Sequence, residues 1–252
     1  MKRILAFGAL LPLTLAAGND FMMDLSVIKP VHECILTEAT RYELTSDDVE
    51  FTLPATVTQT VTNSVVSGKS RTISIRTGMN ESFAQIPSDR MMADTRMVNL
   101  TDPDIIRIAS ELSSAADPVA AAEDFVHGYI TDKILGISML RAKDIIRVKS
   151  GDCTEHAVLT AALLRAMKIP SRGVIGFVYA DRFGRNKDVF VGHMWAEAYY
   201  RGRWHLVDST RPAAKQPNLY IALAYHDLTT QMPLELSGIL QQVRNLRIKA
   251  YL

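Results

Sequence analysis

Residues 150–173 read SGDCTEHAVLTAALLRAMKIPSRG. Asp152 and Glu155 have the spacing of a capping box, in which each side chain satisfies a backbone N–H of the first helical turn. The spacing predicts a helix from Cys153 to about Met167, and the pair Ile169–Pro170 discourages its continuation. Ala157, Val158, Leu159, Ala161, Ala162, Leu163 and Leu164 leave that helix almost no polar face. A surface helix carries one apolar stripe, whereas a helix apolar all round must be enclosed on every side. The chain therefore has to wrap other elements around this segment. Its 252 residues, 48% of them apolar, suffice for such a core.

The flanking patterns supply those elements. In NLTDPDIIRIASELSSA, Thr101 or Asp102 can cap a helix that starts at Pro103 and carries Ile105, Ile106, Ala109 and Leu112 at helical spacing. In DPVAAAEDFVHGYITDKI, Pro118 opens a second helix with an apolar stripe of Ala121, Ala122, Phe125, Val126 and Tyr129. Both are expected to build core, with His127 as a surface or satisfied histidine. After residue 170 the period switches to two. GVIGFVYA, VFVGHMWAEAYY, RWHLVDST, LYIALAYH and LRIKAYL read as strands, with a helical piece near Leu234 to Val243. The polar DRFGRNKD between the first two reads as a solvated loop, with a rim or lid over a groove near His193 as the alternative. Residues 19–100 are turn-rich and β-like, with Thr/Val-rich runs broken at Pro54 and Gly68. The expected fold class is α+β, helices packed on a mostly antiparallel sheet with an N-terminal β-rich region. The expected division is 1–18, 19–100 and 101–252.

The first residues, MKRILAFGALLPLTLAAGND, place Lys2 and Arg3 before a short apolar run, with small residues at Ala16 to Gly18. This is the pattern of a secretory signal peptide over residues 1–18, too short to span a bilayer comfortably. The mature chain is expected in the periplasm or outside the cell, with no stable membrane insertion. The two cysteines make no disulfide framework. Cys34 is read as structural and strand-borne, and it lies too far from the apolar run for a lipid anchor. A net charge of +1 with scattered Lys and Arg gives no electrostatic case for nucleic acid. The phosphate-loop and dinucleotide motifs are absent, and no calcium-binding loop is evident, so no cofactor is expected. Cys153, His156, His193 and Asp208 can be imagined around zinc, but no C-x-x-C or H-E-x-x-H spacing supports a metal. His156 reads instead as a helix-packing or supporting residue.

Cys153 is the first residue inside the predicted helix. Unsatisfied N–H groups and the positive end of the helix dipole favour a thiolate there, and the same N–H groups can hold an oxyanion. A base and an orienter come from hairpin arithmetic. With a two-residue turn at Arg201–Gly202, Tyr200 opposes Arg203 and Trp195 opposes Asp208. His193 then shares a face with Asp208 as its diagonal neighbour, about 7–8 Å away backbone to backbone. His205 has the opposite parity. Trp195, Trp204 and Glu197 fall on the site's face: the tryptophans read first as packing, Trp195 also as a shield, and Glu197 as an alternative orienter. Cys153, His193 and Asp208 thus form a nucleophile–base–orienter set.

The segments GDCTEHAVLTAALLRAMKIPSRGVIGFVY and GHMWAEAYYRGRWHLVDST, with their spacing, resemble the transglutaminase-like superfamily, of papain-like cysteine-enzyme fold. The resemblance spans about residues 101–252 and is strongest from Gly151 to Thr210. It implies Cys153 as nucleophile, His193 as base and Asp208 as third member. Ser209 stands where that family often has proline, and the family's second oxyanion donor, variable in type, has no assigned residue here. The implied chemistry is acyl transfer at the amide of a protein or peptide: hydrolysis, glutamine deamidation or transamidation. Hydrolysis is favoured because nothing specifies an amine site, and Arg182, Arg185 and Lys187 make residues 181–188 net positive. The rival reading is a noncatalytic binding or assembly module on the same fold.

Overall fold

The computed structural model describes residues 27–28, 40–134, 139–229, 239, 242–243 and 245–251. The signal segment, Cys34 and most of the helical piece expected over 234–243 lie outside the described residues. Strands β1 (Val27–Ile28), β2 (Thr40–Ser46), β3 (Gln59–Ser67) and β4 (Ser70–Thr77) precede helices α1 (Pro103–Leu112) and α2 (Pro118–Tyr129). Strand β5 (Asp132–Lys133), helix α3 (Ala142–Val148) and strand β6 (Ser150–Gly151) lead into α4 (Cys153–Ala166). Then come β7 (Ser171–Phe183), β8 (Asn186–Tyr200), β9 (Arg203–Val207), β10 (Tyr220–His226) and β11 (Arg247–Tyr251).

The helix starts follow their caps. Asp102 accepts from the Asp104 N–H and Asp117 from those of Val119 and Ala120, each with proline as the first helical residue. A proline there gives up an N–H that would have no intrahelical partner anyway. Helix α3 had no reading in the sequence. Its buried residues, Ala142, Ile145 and Ile146, repeat at i, i+3 and i+4, but over too few turns to stand out among the charges of RAKDIIRV.

One sheet runs β1-β8-β7-β10 with β9 added on β8, and a second runs β11-β2-β4-β3. Alternation along β8 assigns the layers. Met194, Ala196 and Ala198 join the helical side of the core, with Ile108, Val126 and most of α4. Trp195, with Trp204 and Leu206 of β9, joins Tyr42, Leu44, Ile73 and Ile75 of the second sheet. The first sheet is therefore sandwiched between helices and the second sheet. Every residue of α4 from Glu155 to Arg165 is buried, as a helix with almost no polar face demands, and Glu155, His156, Thr160 and Arg165 are buried with it. The second sheet takes its outer strand β11 from the far end of the chain, so the sheet of the 19–100 region does not close on itself.

Residues 181–188 differ from the loop reading. β7 and β8 continue through them, pairing Arg182 with Lys187 and Phe183 with Asn186, and turn at Gly184, whose φ is 58°. This ribbon is largely exposed, so it buries no face and carries no apolar alternation to betray it. The β8–β9 turn is as short as expected: Arg201 and Gly202 both have positive φ, 52° and 81°, and Tyr200 opposes Arg203. Positive φ at both central residues matches the right-handed twist of the flanking strands.

Candidate active site

Cys153 opens α4, half-buried, behind a complete capping box. Thr154 N–H donates to Asp152 Oδ1 at 2.9 Å and Asp152 N–H donates to Glu155 Oε2 at 3.0 Å. Glu155 also accepts from Leu140 N–H at 2.9 Å, which ties the segment before α3 to the turn that carries Cys153. Gly151 makes room for this. A Cβ added there would fall 2.3 Å from Glu155 Cβ. Gly151→Ala is therefore expected to cost about 1–3 kcal/mol and to lower the thermal midpoint. An unchanged midpoint by calorimetry would show that Glu155 yields freely.

Strand β8 brings the candidate base. One of its edges is covered by β9 over Ala196–Tyr200 and by β1 over Phe190–Val191. Among the described residues no strand pairs with 192–195 on that edge, and His193 lies in this gap. Its Nε2 is 2.8 Å from Asp208 Oδ2, where β9 has just ended. Cys153 also acts on the ring, as one of the groups that raise the His193 pKa. With Nε2 turned to the carboxylate, Nδ1 is the nitrogen left for the sulfur.

Electrostatics reinforce the geometry. Burial by itself favours neutral His193. The Asp208 charge, the Asp208 hydrogen bond and the contact with Cys153 together outweigh it and push the imidazole up to about 10. Burial alone would raise the Asp208 carboxyl. The His193 charge and hydrogen bonds from His193, Thr210 and Tyr220 instead hold it well below the usual carboxylate range. At neutral pH the pair is an imidazolium on a carboxylate, facing the Cys153 sulfur at a helix start.

With that geometry established, residues 106–209 match the family model of the transglutaminase-like superfamily. Over this segment the chain is similar to a transglutaminase-like core. No curated protein matches the sequence. A candidate cysteine protease from Cytophaga hutchinsonii has a similar structure, with a TM-score of 0.52 at 17% identity over 85% of this chain and 88% of that one. That likeness is one of fold. The periplasmic domain of TgpA from Pseudomonas aeruginosa gives 0.48 at 18% identity, over 76% of this chain and 74% of that one.

The transglutaminase-like core does not contain all that holds the site. Asp208 Oδ1 accepts from Thr210 N–H at 3.0 Å and Thr210 Oγ1 at 2.6 Å, while Oδ2 accepts from the Tyr220 hydroxyl at 2.7 Å. The Asp208 N–H donates to Glu123 Oε1 at 2.6 Å, and Lys215 Nζ holds the same carboxylate at 2.5–2.6 Å. Tyr220, Thr210 and Lys215 all follow residue 209. None of these residues, nor Glu123, stood out in the sequence. Only the Asp-x-Thr spacing, which closes a side-chain turn on Thr210, was available as a local signal.

The remaining candidates fall elsewhere. Glu197 shares the site's sheet face but is held by Arg172, whose Nε and Nη2 reach its Oε2 at 3.0 and 2.7 Å. It does not orient His193. Trp195 lies stacked on His193 with ring centres 6.2 Å apart and is 1% exposed, so it covers the imidazole. Trp204 donates to Gln85 O at 2.7 Å, away from the triad. His205 bonds Tyr200 O, and His127 bonds Ser209 O at 2.9 Å. His156 Nδ1 donates to Asp152 O at 2.8 Å, and its Nε2 accepts from Lys133 Nζ at 2.7 Å. Both its nitrogens are thus engaged, and burial with the Lys133 charge draws its pKa down to about 4. Among the described residues no group of His, Cys, Asp and Glu is placed to hold a metal ion.

Proposed function

We propose that this chain is an exported cysteine enzyme that transfers acyl groups at the amide of a protein or peptide, with water as the usual acceptor. The observation that carries the reading is the His193 imidazole, hydrogen-bonded to Asp208, with Cys153 among the groups that raise its pKa. The transglutaminase-like core supports the same class of chemistry. Export rests on the leader pattern of residues 1–18. No helix among the described residues is long and apolar enough to cross a membrane.

In this reading the Cys153 sulfur attacks the amide carbonyl carbon. Thr154 N–H is already taken by Asp152, and Asp152 N–H by Glu155. The Cys153 N–H remains as the first-turn donor for the oxyanion. The C–N bond breaks as the imidazolium of His193 gives its proton to the leaving amine. Water then attacks the thioester, His193 takes a proton from it, and the thiolate leaves, which restores the thiolate–imidazolium pair. Asp208 keeps the ring oriented and its positive charge stabilised throughout.

The first test needs no substrate. In a Cys34→Ala background, iodoacetamide should alkylate Cys153 at neutral pH, and His193→Ala should slow it markedly. Equal rates would favour the noncatalytic module. The acceptor is tested with an identified donor and a labelled primary amine. Amine adducts are expected to remain a small fraction of product. Adducts that saturate at low amine concentration and exceed hydrolysis would make the protein a transamidase, since only a bound amine gains such effective concentration.

A further inference from the structure

We propose that Tyr220, which lies beyond the transglutaminase-like core, is a positioning residue that sets how strongly Asp208 holds the proton on His193. The inference rests on the enzymatic reading above. Tyr220 begins β10 and pairs with Val178 of β7, so β7 separates its backbone from β8. Its hydroxyl nonetheless reaches Asp208 Oδ2 at 2.7 Å, the oxygen that also takes His193 Nε2 at 2.8 Å. The ring is fully buried, edge-on to Trp195 at 5.1 Å and 6.3 Å from His193. Gly176, opposite His193 on β7, keeps this layer thin. A Cβ there would lie 2.1 Å from Ile221 O and 2.9 Å from Trp195 Cη2.

The contact is more than packing because Asp208 is already fixed without it. Oδ1 is held by two donors from Thr210, and the Asp208 N–H is held by Glu123 under Lys215. The Tyr220 hydroxyl therefore adds little orientation. Burial first, and then the Asp208 charge, keep its phenol protonated, so it acts only as a donor to the carboxylate. A neutral donor on a carboxylate oxygen draws off charge that would otherwise hold the neighbouring proton. Tyr220 thus weakens the grip of Asp208 on the imidazolium, which eases proton delivery to a leaving amine. The other titratable or charged groups around the pair are Cys153 and His156 on α4, Glu123 and His127 on α2, and Arg211 and Lys215 after β9. None of them changes in the test.

That test is Tyr220→Phe, which keeps the ring and removes the hydroxyl. The His193 titration is followed by NMR of histidine-labelled full chain, with His193→Asn used for assignment. The midpoint should rise by roughly half a unit to one unit. Thr210→Val, which removes a donor from the other oxygen, should move it the same way and serves if the first variant folds poorly. A midpoint unchanged or lowered in the folded variants overturns the proposal, because a purely structural tyrosine would not raise it. Iodoacetamide alkylation of Cys153 in wild type and His193→Ala, run alongside, reports on the enzymatic reading separately. His193-dependent alkylation with no rise in the variants sinks the role of Tyr220 alone.

Discussion

His193→Ala is expected to slow acylation of Cys153 by about 10²–10⁴-fold, the usual contribution of a positioned acid–base group. Asp208→Asn should fold and lose somewhat less than the about 10⁴-fold that this change costs in a serine triad. A thiolate–imidazolium pair needs its orienter less, because the sulfur is the better nucleophile. The amide also changes the pH profile. The His193 pKa is raised in the folded protein, so its stabilised charged form is fully present below the ordinary histidine value and is lost as pH rises through about 10. Asp208 is the strongest influence raising it. In Asp208→Asn the alkaline limb should therefore move down toward the ordinary value. Burst kinetics with p-nitrophenyl acetate over a pH series read both effects. Full activity in Asp208→Asn, together with its loss in Glu197→Gln, would mean that the orienter has been misassigned.

Arg172→Met should carry the largest penalty to stability. Arg172 and Glu197 are both essentially removed from water, with side chains 2% and 0% exposed. The guanidinium also donates to Gln85 Oε1 at 2.7 Å and lies 3.5 Å over the Tyr225 ring and 4.1 Å over the Trp204 ring. Burial raises the Glu197 carboxyl, offset chiefly by Arg172. Without Arg172, Glu197 is a buried carboxyl with no cation. A loss of about 3–5 kcal/mol is expected, read from urea unfolding. Because the cost lies in the abandoned partner, Arg172→Met combined with Glu197→Leu should recover much of it. If the double variant is as unstable as the single one, the stacked guanidinium rather than the stranded carboxylate accounts for the loss.

What could be read along the sequence was local. The capping box at Asp152 and Glu155 set the helix start and put Cys153 in its first turn. The Arg201–Gly202 turn fixed the register, and the register brought His193 to Asp208 without any knowledge of the layers. The rest depended on long-range approach. Tyr220 reaches the site across an intervening strand, through space left by Gly176, and no spacing in the chain records that. Glu123 looked like one more residue of an apolar helix until Lys215 and the Asp208 N–H were placed against it. The exposed ribbon at 181–188 was misread because strand periodicity comes from burying one face, and this one buries neither. Glu197 failed as an orienter for a related reason. Parity gave its face correctly, but whether a carboxylate there meets a histidine or an arginine is decided by the neighbouring strand, where Arg172 sits directly opposite.

The central claim is that Cys153 carries an acyl group during turnover. The direct measurement is acid-quenched peptide mapping by mass spectrometry after the full chain meets an extract of its own organism. An added acyl mass on Cys153 is expected, lost on continued incubation in water and absent from Cys153→Ala. Wild-type protein whose Cys153 stays unmodified, or whose only adduct is on Cys34, would contradict it.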